Sequence, residues 1–286
     1  MTKFMPSNKV LRVGLIGAGI QSSRAPRLHE AEARAAGISC SYQLLDLEQL
    51  GVGVEALPGL LMNAEAQGFA GLNITHPCKQ AVIPWLDELS DNAAAIGAVN
   101  TVVFKEGKRI GHNTDWWGFA ESFKRGLPDV ALDRVVLLGA GGAGAAIAHA
   151  VLTLGVKQLN IYDNDFARAK TLAQQVTQRF GAERAVGLTD LTAAMAQSDG
   201  LIQATPIGMV GYPGLPLPIE LLRAEQWVTE IVYFPLETEL LRQARALGCR
   251  TMDGSGMAVF QAVKAFRLFT GIEPDHERML IHFDQM

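Results

Sequence analysis

Cysteine is scarce in this 286-residue chain: Cys40, Cys78 and Cys249 are the only three, they show no metal-ligand spacing, and an odd count cannot all pair. That excludes a disulfide-stapled secreted scaffold and points to a reduced, cytoplasmic setting. Charge is also thin. Charged residues make up 19% of the chain, below the roughly 25% of ordinary soluble domains. The 25 Lys+Arg against 29 Asp+Glu leave a net charge of −4, with no basic run. Nothing here neutralises a phosphate backbone, so a nucleic-acid partner is not expected. Met1–Asn8 carries no apolar core of a secretory signal. Long hydrophobic runs are nearly absent. Val135–Val156 is almost uncharged and long enough to span a bilayer. Four glycines within six residues and His149 interrupt it, so a strand, a glycine turn and a buried helix explain it better than a membrane span.

What is abundant is apolar: 49% of the residues, with low net charge, which excludes disorder. The length suits one large or two ordinary domains. Strand and helix signals alternate along the whole chain. Leu11–Ile16 reads as a buried strand, then a helix from Pro26 to Ala36 with Gly37 as its stop. Strands follow at Ser41–Leu45 and Gly71–Thr75, helical patterning at Lys79–Leu89, and a hairpin of Ala98–Phe104 and Arg109–Asn113. The middle is a cleaner series. Val135–Leu138, Gln158–Tyr162, Gly200–Gln203 and Trp227–Val232 read as strands, and Ala143–Leu154 and Phe166–Phe180 as helices. Helices at Gly256–Thr270 and Pro274–Phe283 close the chain. Such βα alternation implies an α/β fold with a parallel sheet covered on both faces, here two units joined near Thr114.

The strongest local motif is Gly139-Ala140-Gly141-Gly142-Ala143-Gly144, which follows a strand and opens a helix. Glycines there allow a tight turn and close backbone approach. The helix N-terminus then offers free N–H groups to a pyrophosphate. Asp163, 24 residues after Gly139, ends the next strand, where a carboxylate accepts from ribose hydroxyls and repels a 2′-phosphate. An earlier glycine run, Gly14–Gly19, lacks its third glycine because position 22 is Ser22. Three polar strand ends in the first half suggest a convergent pocket. They are Asn73–Lys79, Gly97–Thr101 and Gly111–Asp115. Lys79, placed in the first turn of a helix, opposes the helix dipole, so a plain solvated role is less natural there. His76 and His112 have no partner spacing for a metal, and none is expected.

These segments carry a family resemblance. GAGIQSSRAPRLHE from Gly17, NITHPCK from Asn73, GAVNT from Gly97, GHNTD from Gly111 and GAGGAG from Gly139 are followed by ATPIGM from Ala204, VYFPLETELL from Val232 and GMAVFQAVKAFRLFTG from Gly256. In this order and spacing the chain resembles the shikimate dehydrogenase family over nearly its whole length. It looks most like the NAD-linked quinate/shikimate dehydrogenases and the aminoshikimate-dehydrogenase-like branch. The resemblance implies a substrate-binding domain over residues 1–114, completed by C-terminal helices 256–286, and a Rossmann-type NAD-binding domain over 115–255, with a cleft between them. Lys79 and Asp115 match the catalytic pair. Ser23 matches a hydroxyl that binds the substrate carboxylate. Thr75, Asn100 and Gln261 match residues that hold the ring hydroxyls, and Tyr233 one beside the substrate. Met257 falls near the nicotinamide, and Thr205 belongs to the cofactor side.

Four departures stand out. The family's H-S-x-S-P is here Ser22-Ser23-Arg24-Ala25-Pro26, so the second hydroxyl is missing and either Arg24 or water replaces it, or binding is weaker. Asp163-Asn164-Asp165 stands for the N-R-T of NADP-preferring members, which points to NAD. Glu230 stands for the usual aspartate and Gln203 for the usual asparagine. The expected function is reversible, NAD-linked oxidation of shikimate, or quinate, by a monomer or homodimer. The alternatives are aminoshikimate oxidoreduction and a non-catalytic sensor that binds NAD or a shikimate-like ligand; retention of Lys79 and Asp115 favours the enzyme.

Overall fold

The computed structural model describes residues 10–286; Met1–Asn8 lies outside them. The chain divides into two compact units. The first comprises the described residues through Thr114 together with Gln261–Met286; the second is Asp115–Phe260.

The first unit runs β1 (Leu11–Gly17), α1 (Ala25–Ala35), β2 (Cys40–Asp46), α2 (Leu47–Leu50), α3 (Leu57–Ala66), β3 (Gly71–Ile74), α4 (Cys78–Ala81), β4 (Glu88–Leu89), α5 (Asp91–Ile96), β5 (Thr101–Lys105) and β6 (Lys108–His112). Its sheet has the order β2-β1-β3-β5-β6-β4. β1 pairs parallel to β2 and β3, whereas β5 pairs antiparallel to β3 and β6. One face packs on α3 and α5 around Leu61, Leu72, Ile74, Val99 and Val102. The hairpin between β5 and β6 turns on Glu106 and Gly107, both with positive φ, as a two-residue loop with right-handed strand twist requires.

The second unit contains α6 (Asp115–Gly126), β7 (Arg134–Leu138), α7 (Gly142–Thr153), β8 (Gln158–Tyr162), α8 (Phe166–Phe180), β9 (Ala185–Gly187), α9 (Leu191–Ala196), β10 (Gly200–Gln203), β11 (Trp227–Glu230), α10 (Glu239–Leu247) and β12 (Arg250–Met252). α11 (Ser255–Thr270) runs across the division, and α12 (His276–Asp284) ends the chain in the first unit. The sheet order β12-β11-β10-β7-β8-β9 is wholly parallel. Numbered within the unit it is the doubly wound order of dinucleotide-binding folds, with its switch point between β7 and β10. The near-uncharged stretch 135–156 is β7, the glycine turn and α7. Among the described residues no helix is long and apolar enough to cross a membrane.

Three local expectations are corrected. The helix expected over Lys79–Leu89 is only α4, followed by a single 3₁₀ turn at Ile83–Trp85 and then β4. Pro84 cannot donate the amide that would continue the helix. Beyond it the Asp87 amide donates to the Arg109 carbonyl and the chain turns extended. Lys79 therefore sits in a one-turn helix, and the dipole argument for it loses force. The strand expected over Trp227–Val232 ends at Glu230, whose own carboxylate takes the Val232 N–H at 3.0 Å. The hairpin's first strand begins at Thr101 rather than Ala98, because Asn100 is drawn into a side-chain network described below.

Candidate functional site

In the first unit, the polar strand ends meet at the C-terminal edge of β1 and β3. Gly17 ends β1 so close to β3 that a Cβ on it would lie 2.3 Å from the Thr75 methyl. The Ala18 N–H donates to the His76 carbonyl at 3.0 Å, fixing the loop after β1 beside the segment Thr75–Lys79. The Lys79 carbonyl accepts from the Val99 N–H at 2.8 Å, and the Ile74 N–H donates to the Asn100 carbonyl at 2.7 Å. Ser23, Thr75, Lys79 and Asn100 are thus carried on three segments that are directly tied together. Asn100 is 3% exposed. Its Oδ1 accepts from the Thr114 N–H at 2.7 Å, and its Nδ2 donates to the Thr114 hydroxyl at 2.9 Å. A buried chain continues from Asn100 through Thr101 and Asn73 to the Tyr42 hydroxyl. Asn73 belongs to the first of the polar strand ends, whereas Tyr42, inside β2, has no such signal in the sequence. Gln261 lies in α11, at the point where that helix enters the first unit.

The earlier glycine run is explained by a carboxylate of the chain itself. Asp46, 2% exposed at the end of β2, accepts from the N–H groups of Gly19 and Ile20 and from Gln21 Nε2. Those amides are satisfied internally, and Ser22 and Ser23 supply the hydroxyls of the loop, Ser22 exposed and Ser23 half-buried. The Ser23 Oγ accepts from the Ala25 N–H at 3.3 Å, so its O–H proton is the part that can be donated to a ligand. Ala25 is the first residue of α1, one before the Pro26 at which the sequence places the helix start. Arg24, weighed above as an alternative anchor, holds its guanidinium 4.8 Å from the Phe283 ring centre.

In the second unit the glycine motif opens α7. Gly139 takes φ +98, and a Cβ there would meet the Ala204 carbonyl oxygen at 2.8 Å and the Thr205 methyl at 3.1 Å. A Cβ on Gly144 would lie 2.1 Å from the Gly139 carbonyl oxygen. Only glycine fits at either position, and the loop is pressed between the ends of β7 and β10 at the switch point. Ala140, Gly141, Gly142 and Ala143 lead into the helix with no side chain capping its first N–H groups. Asp163 ends β8 beside the loop. Its Oδ2 accepts from the Ala140 N–H at 2.8 Å and its Oδ1 from the Asp165 N–H at 3.0 Å. Arg168 Nη2 would lie 3.3 Å from a Cβ on Gly141.

Thr205 is set by Gln203, which is fully buried. Its Nε2 donates to the Thr205 hydroxyl and the Ile207 carbonyl, both at 2.8 Å. Tyr233 is 38% exposed and Met257 8% exposed. Asp115, 5% exposed, begins α6 directly after the Asn100–Thr114 pair; an acid in a first turn suits the helix dipole.

The cradle fits a dinucleotide: uncapped amides, glycines admitting close backbone approach, and a carboxylate at the end of the second strand. Comparison with known proteins agrees with both units. Residues 15–102 match the model of the shikimate dehydrogenase substrate binding domain, 121–207 that of shikimate / quinate 5-dehydrogenase, and 254–280 that of the shikimate 5′-dehydrogenase C-terminal domain. A Streptomyces avermitilis protein named shikimate dehydrogenase (NADP(+)) is 58% identical over 94% of this chain and 93% of its own. The chain belongs to the shikimate dehydrogenase family. Another member, the quinate/shikimate dehydrogenase (NAD(+)) of Corynebacterium efficiens, is 49% identical over 95% of this chain and 96% of its own. The structure of quinate dehydrogenase from Corynebacterium glutamicum in complex with NAD superposes with a TM-score of 0.91 at 47% identity, covering 98% of this chain and all of the other. The α/β class and the Rossmann-type sheet expected from the sequence are those of the family. The names of its members divide over NAD and NADP.

Proposed function

We propose that this family member is an NAD-dependent dehydrogenase that reversibly oxidises the ring alcohol of shikimate, or quinate, to the ketone. The observation that carries the reading is the convergence of Ser23, Thr75, Lys79 and Asn100 on one edge of the first unit's sheet. In this reading Ser23 donates its proton to the substrate carboxylate, and Thr75, Asn100 and Gln261 bind ring hydroxyls. Tyr233 packs beside the substrate. Lys79 accepts the hydroxyl proton as the carbon loses hydride, and returns a proton to the ketone oxygen in the reverse direction. Asp115 orients the Lys79 amine and balances its charge. Gly139–Gly144, Asp163, Thr205 and Met257 would hold the dinucleotide, which would supply the hydride acceptor that no side chain here provides. No charged group of the substrate needs a metal in this scheme.

Steady-state rates with shikimate, quinate and aminoshikimate, each against NAD and NADP, test the reading. Shikimate or quinate with NAD is expected to give the highest kcat/KM. Absence of reduced cofactor with all three substrates overturns it, and a preference for aminoshikimate moves the assignment to that amine-bearing relative.

Ala25 stands where the family pattern has its second hydroxyl, so in this reading the substrate carboxylate has one donor fewer. A hydrogen bond to a charged group is worth about 1.5–3 kcal/mol. Ala25→Ser is therefore expected to lower KM for shikimate by roughly tenfold. At this first helical position serine adds only a small side chain and costs little in propensity. An unchanged KM in this variant shows that the carboxylate is anchored elsewhere.

A further inference from the structure

β11 ends in a buried acid to which the reaction scheme gives no role. Glu230 is 1% exposed. Its Oε1 accepts from the Val232 N–H at 3.0 Å, and its Oε2 accepts from the Thr238 hydroxyl at 3.2 Å. Thr238 is in turn the N-cap of α10, its Oγ accepting from the Leu241 N–H at 3.3 Å. One carboxyl thus holds the first and last turns of residues 231–238, the loop that carries Tyr233. Two neighbouring loops lean on the same point. Gly208, at φ +100, lies where a Cβ would come 3.4 Å from the Thr238 side chain and 3.8 Å from Glu230 Oε2. The Val210 N–H donates to the Phe234 carbonyl at 3.2 Å. A Cβ on Gly254 would lie 2.5 and 2.6 Å from the carbonyl oxygens of Ile231 and Val232. Capping α10 needs Thr238 alone; the carboxyl adds the tie back to Val232.

We propose that Glu230 is a positioning residue that clamps both ends of the loop 231–238 and so fixes where Tyr233 stands. The consequence for substrate rests on the reading that Tyr233 packs beside it; the clamp itself does not.

Protonation tunes the clamp. Burial pushes the Glu230 carboxyl up to about 8, against the pull of the hydrogen bonds from Val232 and Thr238. Charged neighbours are engaged elsewhere. Glu237 pairs with Arg245 and Glu239 with Arg242, and Asp253 accepts from Ser255. The neutral acid is therefore the form the fold favours. Below pH 4.5 the acid is protonated folded and unfolded alike. Between 4.5 and about 8 only the unfolded chain ionises, so stability falls as pH rises; above 8 both states are ionised and the full cost remains. Glutamine copies the neutral acid and carries no such dependence.

The experiment compares wild type with Glu230→Ala, Glu230→Gln and Tyr233→Phe, by amide hydrogen exchange, by KM and kcat for shikimate, and by melting between pH 5 and 9. In Glu230→Ala the Val232 and Leu241 amides are expected to exchange at least tenfold faster. KM should rise about tenfold while kcat changes less than threefold. Glu230→Gln should restore both, and its melting temperature should climb relative to wild type as pH rises from 5 to about 8, with a constant margin above that. Unchanged exchange at Val232 in Glu230→Ala overturns the clamp. Should that variant fail to fold, Glu230→Leu, which fills the space but accepts no hydrogen bond, takes its place, and unchanged exchange at Val232 in it overturns the clamp. Accelerated exchange with KM unaltered in both Glu230→Ala and Tyr233→Phe upholds the clamp and removes Tyr233 from the substrate reading.

Discussion

Lys79→Ala is expected to lower kcat by about 10²–10⁴-fold, the usual worth of a general acid–base group, while substrate affinity measured by calorimetry falls little. The fold should survive the change. The Lys79 carbonyl accepts from the Val99 N–H, a main-chain tie that a new side chain leaves in place. α4 is a single turn held by the Val82 amide on the Cys78 carbonyl, and alanine is the best residue for a helix position. Lys79→Met separates the amine from the bulk of the stem: it keeps the apolar length and removes the proton acceptor. The two variants are expected to be equally slow. Asp115→Asn should also slow turnover, with part of its effect in KM, because an orienting group acts in the ground state as well as in the transition state. Near-wild-type kcat in Lys79→Ala would remove the proton-transfer scheme and favour a binding protein built on this scaffold.

Much of the architecture is legible in the sequence because it is written in local signals. β8 and α8 begin and end where the apolar period and the flanking turn residues place them, at Gln158–Tyr162 and Phe166–Phe180. Gly139–Gly144 declares its turn because strand, glycines and helix follow within a dozen residues. Features that depend on distant partners are not legible in this way. The Gly14–Gly19 run resembles a nucleotide loop until Asp46, contributed from β2, is seen to occupy its amides. Nothing near Gly19 in the chain announces that carboxylate. Gln203 and Glu230 are visible as departures from a family pattern, but their hydrogen bonds to Thr205, Ile207, Val232 and Thr238 follow from how loops meet at the sheet edge. Other elements had signals that a reading by motif passes over. α10 is framed by Thr238 as cap and Gly248 at φ +95 as stop, a helix start and end as plain as any in the chain. Pro84 marks a break in the helix after Lys79, yet proline is equally at home in the first turn of a new helix, and only the pairing of β4 with β6 decides between the two.

NAD is expected to be preferred over NADP, and Asp163 is the reason. Its carboxylate stands at the end of β8, where the second strand of a doubly wound sheet presents the group that meets the adenosine ribose. It cannot easily swing aside: the Ala140 and Asp165 amides each hold one of its oxygens. A 2′-phosphate brought within about 4 Å of that charge meets a repulsion of about 4 kcal/mol per unit charge at a surface-like dielectric. Arg168, close to Gly141, supplies a cation that offsets part of it. The net preference is therefore expected to be one to three orders of magnitude in kcat/KM rather than the full Coulomb value. Asp163→Ser removes the repulsion and keeps an oxygen for the Ala140 amide. In that variant kcat/KM with NADP should rise about 10–100-fold, and that with NAD should fall by about 1.5–3 kcal/mol of lost ribose bonding, roughly tenfold or more. Relatives of this chain carry both cofactor names, the Streptomyces avermitilis protein at 58% identity among those named for NADP, so whole-chain similarity does not decide the matter. Wild-type enzyme that uses NADP as well as NAD, with Asp163→Ser leaving the ratio unchanged, would show that the carboxylate belongs to the Ala140 turn alone and that selectivity is set from the Arg168 side of the loop.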